Sequence, residues 1–335
     1  MPTGYDFDSY LRRTTGVHGW HVEELSGGAA NFTVRARQTK HQDQGAQQDA
    51  NTSSSEPTLV IKQAPSHFAK LPNVPFSPYR QTVEAEALRQ FHAKDSGSSN
   101  LQVILARNPL IRIPRLLTHD VGDGILVQSD LGSHPNLYEA LTSSHMSLFM
   151  ASRLGATLGH FLADLHSFAM ISPEAIRRFH NGDAKRVIEG VIGQATSFMR
   201  DAGVDDFQVL GDWALKHWRN REKNAFSQDV NARLHTDESV KSPIIGICDW
   251  EFAGPNHPAA DIAQLGCYLH LLSLSPLTGA SAIKTIFSFA SSMYERFFFR
   301  LCCFCMDGRW STRLHGRLVR TCGVNVKVKE LGADI

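Results

Sequence analysis

The sequence carries little net charge and has no long uninterrupted apolar segment. It contains 34 Lys and Arg residues against 33 Asp and Glu residues, so no overall field directs it toward nucleic acid or an anionic membrane. The most apolar stretch, residues 283–306, contains several charged side chains, which argues against a membrane span. Residues 1–13 include acidic residues and lack an apolar core, so they do not predict a secretory signal. We expect a soluble cytoplasmic protein that binds neither nucleic acid nor membrane.

Cysteine is scarce and confined to the C-terminal third of the chain. All six cysteines lie at or after residue 248. The segment CCFC at residues 302–305 lacks the paired spacing of a zinc site with nearby histidines. The sequence therefore predicts reduced, mostly buried thiols.

The N-terminal part of the chain predicts mainly strands. Residues 22–37, VEELSGGAANFTVRAR, have glycines at a break between two alternating segments, which is typical of a hairpin. Residues 38–57 are polar and low in complexity, and they predict a flexible loop. The next apolar segment, TLVIKQA, carries Lys62 and predicts a further strand.

One helix and two more strands are predicted before residue 128. RQTVEAEALRQFHA is rich in helix formers and spaces Val83, Ala87 and Phe91 for a buried stripe. LIRIPRLLTHD and GILVQSDLG predict strands joined by a Gly-Asp-Gly turn. The first 127 residues are thus expected to form a small sheet with one helix.

The sequence then becomes helical. RLGATLGHFLADLHSF predicts a core helix, with an apolar face made of Leu154, Leu158, Phe161, Leu162, Leu165 and Phe168. Residues 184–200, 206–220 and 257–273 predict further helices. His166 lies among the apolar residues of the core helix, and we interpret it as a packed core residue rather than a catalytic one.

A carboxylate follows an apolar strand near the end of this helical part. Residues 243–264 read PIIGICDWEFAGPNHPAADIAQ, and Asp249 stands where the strand ends. Carboxylates at strand ends commonly bind metals or do chemistry. Many strands also end at an aspartate simply because a turn follows.

The order of these features resembles the aminoglycoside phosphotransferase and choline kinase-like superfamily of small-molecule kinases, which are related to protein kinases. The resemblance runs from about Leu25 to Leu272, and GICDWEFAGPNHPAADIAQL is its most specific part. It implies an α+β, bilobal protein kinase-like fold. Residues 1–127 would form the nucleotide-binding sheet lobe, residues 128–132 the hinge, and residues 133–335 a helical lobe with the metal and substrate site.

The same resemblance implies ATP and Mg²⁺ as cofactors and a small-molecule hydroxyl as the phosphate acceptor. Lys62 would contact the α and β phosphates and be held by Glu86, the second acid of EAE, with Glu84 as the competing partner. Asp249 and Glu251 would hold the metal. Asp261 would either brace the catalytic loop or cap its helix. The implied nucleotide-binding residues are Gly27, Gly28, Asn31, Lys62, Ser129, Asp130 and Leu131.

The catalytic loop departs from the pattern of the family. Residues 224–248 contain no His-Gly-Asp followed five residues later by Asn. Asp229 is the closest candidate for the base, but Leu234 stands where the metal-binding Asn is expected, and the apolar strand that should follow is missing. His235 and Asp237 are alternative acids or bases without motif support.

Three hypotheses therefore stay open. The first is an active ATP-dependent kinase of a small molecule, and the second is a catalytically impaired pseudokinase that binds nucleotide. A generic helical interaction protein is the third and least favoured. The C-terminal region carries many cations against few acids, which favours an endogenous sugar, amino alcohol or other metabolite over a polycationic aminoglycoside. These cations are Arg309, Arg313, Arg317, Arg320, Lys327 and Lys329.

Overall fold

The structure is a computed structural model, and it describes most of the chain up to residue 290. The described residues are 5–26, 28–38, 58–93, 101–142, 146–171, 178–220, 225–227, 231–235, 244–256, 259–273, 283–286, 288 and 290. Of the predicted flexible loop at residues 38–57, only Gln38 lies within them.

An antiparallel sheet of five strands forms the N-terminal part, in the order β1-β2-β3-β8-β7. The predicted hairpin is present as its first two strands. The sheet is built from β1 (Trp20–Glu24), β2 (Phe32–Gln38), β3 (Thr58–Gln63), β7 (Leu116–Asp120) and β8 (Ile125–Ser129). A separate short hairpin joins β4 (His67–Phe68) to β5 (Leu71–Pro75).

Three helices accompany this sheet, where the sequence predicted one. They are α1 (Phe7–Thr15), α2 (Tyr79–Phe91) and α3 (Gln102–Arg107). Helix α1 begins after Asp6, whose Oδ1 accepts a hydrogen bond from the amide of Ser9 at 2.9 Å, and its C-cap is Gly16 at φ 67°. Its apolar face packs on the sheet, so α1 forms because capping and tertiary packing stabilise a short segment.

Helix α2 carries the stripe that the sequence predicted. Val83, Ala87 and Phe91 are all buried, and the Phe91 ring lies 4.6 Å from the Trp250 ring between centroids. This contact packs α2 against the segment that follows Asp249. The helix therefore connects the N-terminal sheet to the residues around the candidate metal ligand.

Helices dominate the chain after β8. The structure has α4 (Leu137–Thr142), α5 (Leu148–Ile171), α6 (Gly182–Asp201), α7 (Phe207–Asn220) and α8 (Ala259–Ser273). The last three match the predicted helices at 184–200, 206–220 and 257–273. Helix α5 buries the predicted apolar face from Leu154 to Leu165, while the side chain of Phe168 lies outside the described residues. An antiparallel sheet with mostly helices after it confirms the predicted α+β class.

A strand occupies the segment where the sequence analysis found none. β10 (Asn231–His235) pairs antiparallel with β11 (Ile244–Cys248), and β11 pairs parallel with β6 (Ile111–Arg112). The expectation of a missing strand was wrong because β10 is an edge strand, and main-chain pairing at an edge does not require an apolar sequence. Nearby, β9 (Ala225–Ser227) pairs with β12 (Gly254–Asn256).

Among the described helices, none is both long and apolar enough to cross a membrane. Cys248 forms no disulfide bond among the described residues. Cys302, Cys303, Cys305 and Cys322 lie outside the described residues.

Candidate functional site

Lys62 brings two carboxylates together near the end of β3. Its Nζ donates to Oε1 of Glu84 at 2.6 Å and to Oδ1 of Asp249. Lys62 and Glu84 are buried, whereas 36% of the Asp249 side chain is exposed. A strand, helix α2 and the turn after β11 thus converge on one ammonium group.

The alternation of β3 explains why Lys62 faces this site. Ile61 is fully buried in the cluster that includes α1, while Val60 and Lys62 line a pocket on the other face of the sheet. Successive side chains of a strand point to opposite faces. An apolar strand can therefore bury one face in the core and present a single lysine on the other.

The partner of Lys62 is Glu84, so the prediction of Glu86 was wrong. Glu84 is fully buried on α2, whereas the Glu86 side chain is 23% exposed and accepts a hydrogen bond from Nε2 of Gln90 at 2.9 Å. Residues two apart on a helix do not share a face. The sheet-facing side of α2 holds Glu84, and Glu86 is directed away from Lys62.

Asp249 adopts a left-handed backbone conformation, with φ 65° and ψ 58°. It follows β11, whose Ile245 and Ile247 are fully buried, and it precedes a 3₁₀ turn at Trp250–Phe252. Such a conformation is uncommon for residues other than glycine, although aspartate tolerates it better than most. The reversal of the chain at this position directs the carboxylate toward Lys62.

Burial and neighbouring charges shift the pKa values of Lys62 and Glu84 in opposite directions. Burial alone would lower the pKa of Lys62, but Asp249 and Glu84 raise it well above its ordinary value. Burial raises the pKa of the Glu84 carboxyl, and Lys62 opposes that change. Lys62 is therefore a fixed positive charge at neutral pH, which suits a group that binds phosphates.

The pocket beside Lys62 collects most of the predicted nucleotide-binding residues. Gly28, Lys62, Ser129, Asp130 and Leu131 all line it. Gly27 lies outside the described residues. A side chain at Gly28 would meet no heavy atom closer than 3.9 Å, so nothing in the protein itself requires glycine there.

Asn31 does not line this pocket, and its predicted role in binding the cofactor is not supported. Its Nδ2 donates to Oε2 of Glu251 at 2.7 Å, and its Oδ1 accepts from Nε of Arg80 at 3.2 Å. Both ends of the buried amide are thus used within the protein. Asn31 instead links the glycine hairpin to Glu251.

Glu251 is likewise not brought to the predicted metal position beside Asp249. Its carboxylate is buried, accepts the hydrogen bond from Asn31 and lies 3.5 Å from Nε of Arg80. Burial, and then the nearby charge of Glu84, raises its pKa to about 7. Glu251 lies elsewhere because Trp250–Phe252 form a 3₁₀ turn. The turn directs Glu251 toward Arg80 and leaves Asp249 at the pocket.

The carboxylate that remains at the pocket, Asp249, suits a Mg²⁺ ligand. This ion often uses only one or two protein carboxylates and takes its other ligands from water and phosphate. Asp249 offers a half-exposed carboxylate at the pocket. Within the described part of the chain, no cluster of three or more His, Cys, Asp or Glu side chains is arranged to hold a metal.

Asp261 and His166 form a buried pair between α8 and α5. Nε2 of His166 lies 2.8 Å from Oδ2 of Asp261, and both side chains are buried. Because α8 begins at Ala259, Asp261 lies inside the first turn and is not the N-cap. The pair is consistent with structural roles for both residues.

The predicted base is not described by the structure. Asp229 and Asp237 lie outside the described residues, and His235 is described only as the last residue of β10. Asp229 therefore stays a prediction.

Two buried arginines near the site were not predicted from the sequence. Arg80 is fully buried at the start of α2, and the Arg35 side chain is 6% exposed on β2 beside the pocket. Arg35 had a sequence signal, because a cation between Val34 and Ala36 interrupts an apolar segment. The residue that Arg35 binds, Asp130, lies 95 positions away in the sequence.

Comparison with curated proteins identifies a 4-hydroxytryptamine kinase from Psilocybe cyanescens. It is 26% identical over 278 residues, which cover 78% of this chain and 71% of the relative. No family model matches the chain.

Two solved structures are among those with some similarity to this chain. A protein of Ralstonia eutropha assigned to the aminoglycoside phosphotransferases is 12% identical, with a TM-score of 0.49 over 88% of this chain and 79% of that protein. The complex of APH(2")-IIa with streptomycin and ATP is 14% identical, with a TM-score of 0.41 over 90% of this chain and 87% of the enzyme. The curated relative is named for the phosphorylation of a small molecule, which is the class of activity that the sequence pattern resembles.

Proposed function

We propose that the chain is an ATP-dependent phosphotransferase that transfers the γ-phosphate to a hydroxyl group of a small molecule. The observation that carries the proposal is the position of Lys62, held at the pocket by Glu84 and Asp249. Phosphoryl transfer depends mainly on positioning and on neutralising the charge of the phosphates. A fixed cation beside a half-exposed carboxylate meets both requirements.

The proposal assigns a separate role to each residue of the site. Lys62 would contact the α and β phosphates, and Glu84 would hold its ammonium group in place. Asp249 would hold Mg²⁺, which when bound supplies positive charge at the β and γ phosphates. The main chain near Leu131 would meet the adenine, and Asp229 is the proposed base for the acceptor hydroxyl.

The acceptor is proposed to be a hydroxylated amine or a related metabolite. The curated relative is named a 4-hydroxytryptamine kinase, and that compound is the natural first substrate to test. The cation-rich C-terminal sequence disfavours polycationic aminoglycosides. The pseudokinase alternative is not favoured, since the relative is named for a kinase activity.

The test combines nucleotide binding with turnover. We expect Mg·ATP to raise the thermal unfolding temperature of the purified chain, and ADP release to require a hydroxylated acceptor from a panel that includes 4-hydroxytryptamine. The Asp249→Asn variant should lose at least about 10²-fold in kcat/KM, because metal-held charge stabilisation is worth several kcal/mol. Asp212→Asn is the matched control, since Asp212 is exposed on α7.

The possible results separate the kinase from the pseudokinase. Absence of any Mg·ATP stabilisation of the wild-type chain would contradict both the kinase and the pseudokinase. Binding without ADP release for any acceptor would contradict the kinase alone. Equal turnover of Asp249→Asn and Asp212→Asn would contradict the role of Asp249.

A further inference from the structure

Arg35 is a buried cation at the pocket that the proposed chemistry does not use. It lies on β2 opposite Val60 of β3, and both residues line the pocket. Its side chain is 6% exposed, and a buried charge is costly unless it is paired and hydrogen-bonded. Its contacts should therefore reveal what this charge stabilises.

All of the hydrogen bonds described for the Arg35 guanidinium reach the segment that follows β8. Nε and one terminal nitrogen donate to the two carboxylate oxygens of Asp130 at 2.6 and 3.1 Å. The guanidinium also donates to Oγ of Ser133 at 2.7 Å and to the carbonyl oxygen of Gly132 at 3.0 Å. Residues 130–133 are thus fixed to β2 through one side chain.

Asp130 is held from more than one side. Burial alone would raise its pKa, but hydrogen bonds from Arg35 and from the amide of Gly132 lower it below its ordinary value. Gly132 has φ 92°, and a side chain there would collide with the ring of His134. The segment therefore contains a glycine with a left-handed backbone conformation, and the charged pair of Arg35 and Asp130 holds it in place.

The contact of Arg35 with Asp130 determines where the main chain of Leu131 lies at the pocket. The amide of Ser129 already donates to the carbonyl of Arg115 at 2.9 Å. Leu131 also lines the pocket, and its main-chain groups have no hydrogen-bond partner among the described residues. Leu131 stands between two residues that Arg35 binds, so Arg35 fixes the position of these groups.

We propose that Arg35 is a nucleotide-positioning residue that holds residues 130–133 against β2, so that the main chain of Leu131 meets the nucleobase at a fixed distance. The inference rests on the proposed function, because it requires a nucleotide in this pocket. It assigns to Arg35 control of base recognition and no part in phosphate chemistry. Its loss should therefore affect nucleotide binding and base preference more than the acceptor.

The test uses Arg35→Lys and Asp130→Asn with Arg37→Lys as the matched control. Arg37 lies on the same strand, but it is 44% exposed, and its ion pair within the described part of the chain is with Glu23 at 3.6 Å. Lysine keeps the charge of Arg35 and loses the planar, two-pronged contact with Asp130. Dissociation constants for ATP and GTP are measured by calorimetry, and KM and kcat by ADP release.

We expect Arg35→Lys and Asp130→Asn to raise the Kd and KM for ATP by about tenfold, the effect of losing one charge-assisted contact. The preference for ATP over GTP should fall, while the KM for the acceptor stays unchanged and kcat changes by less than about twofold. Arg37→Lys should match the wild-type chain in every measurement. Circular dichroism shows whether each variant is folded.

Three results would overturn the inference. If Arg35→Lys binds ATP as tightly as Arg37→Lys does, Arg35 does not position the nucleotide. If the KM for ATP, the KM for the acceptor and kcat all change together, Arg35 has only a structural role. If the wild-type chain does not bind ATP at all, the proposed function fails as well, which distinguishes that outcome from the first two.

Discussion

Lys62 shares one ammonium group between two carboxylates that differ in burial. Glu84 is fully buried, so its negative charge depends on Lys62 for compensation. Asp249 is 36% exposed, and water can solvate part of its carboxylate. This asymmetry suits the two proposed roles, in which Glu84 would hold the lysine and Asp249 would keep an exposed edge toward the pocket for a metal.

The correction from Glu86 to Glu84 leads to a direct prediction. Glu84→Gln should lower kcat/KM for ATP by about 10²-fold, because breaking a buried ion pair costs a few kcal/mol and leaves Lys62 unrestrained on that side. Glu86→Gln should stay within about twofold of the wild-type chain, since the ion pairs described for Glu86 are with exposed arginines at 3.6 and 3.8 Å. Steady-state ADP release at varied ATP concentrations measures both.

The opposite ranking of these two variants would show that the relevant conformation has Glu86 at Lys62. Equal losses would indicate that neither glutamate acts through the lysine. Thermal unfolding of both variants distinguishes a loss of activity from a loss of fold.

A closer reading of the helix periodicity would have identified Glu84. On α2, Glu84 stands four residues before Leu88 and seven before Phe91, and both of these are fully buried. Such spacing puts a residue on the buried face. Glu86 instead precedes Gln90 by four residues and contacts it. The order of the acids in EAE predicted Glu86, whereas the apolar stripe of α2 indicates Glu84.

Helix α5 contains two glycines that allow a close contact with a later helical segment. A side chain at Gly155 would collide with main-chain atoms of Ile286, and one at Gly159 with those of Ala290. These glycines are one helical turn apart, so they form one smooth strip along the helix. Ile286 and Ala290 therefore lie directly against the α5 backbone at this strip.

Substituting these glycines tests that contact. Gly155→Ala and Gly159→Ala should each lower the free energy of unfolding by about 1–3 kcal/mol, because the backbone of the neighbouring segment must shift. Gly190→Ala and Gly193→Ala on α6 are matched controls, since a methyl group there meets nothing within 4 Å. These controls should be neutral or stabilising by about 0.5–1 kcal/mol. Urea unfolding followed by tryptophan fluorescence gives the four values.

If all four alanine variants are equally stable, the close approach at Gly155 and Gly159 does not exist in solution. If the α6 variants lose stability as well, those glycines have a contact that the described residues do not reveal.

The long helices could be predicted from the sequence, whereas the short elements α3 and β10 could not. Helices α6, α7 and α8 have 20, 14 and 15 residues, long enough for a helical pattern to be recognised. Helix α3 has six residues, and β10 is an edge strand of five. Over so few residues the pattern does not distinguish helix from strand, and these elements form because tertiary contacts stabilise them.

Arg80 connects three parts of the molecule that are far apart in sequence. Its guanidinium donates to the carbonyl oxygens of Ala30 in the glycine hairpin and Pro65 after β3, and it pairs with Glu251 after Asp249. Asn31 and Glu251, which share this cluster, are 220 positions apart. A network of this kind depends on the folded arrangement, so no local sequence pattern could have predicted it.

The last prediction concerns this network. Arg80→Met should lower the free energy of unfolding by about 3–5 kcal/mol, because it leaves the buried Glu251 without its cation. The matched control is Arg89→Met on the same helix, where the side chain is 49% exposed and pairs with Glu86 at 3.6 Å. That exposed pair should be worth at most about 1 kcal/mol. Denaturant unfolding of both variants measures the difference.

A double-mutant cycle separates the charge pair from the other contacts of Arg80. Adding Glu251→Gln to Arg80→Met should cost less than the sum of the single changes, with a coupling of about 1–3 kcal/mol, since the unpaired carboxylate is then absent. Additive losses would mean that Arg80 acts only through the main-chain carbonyls that it binds. The single variant Glu251→Gln also tests the metal assignment. If Glu251 serves this network and not the metal, the Mg²⁺ concentration required for ATP binding stays unchanged in Glu251→Gln and rises in Asp249→Asn.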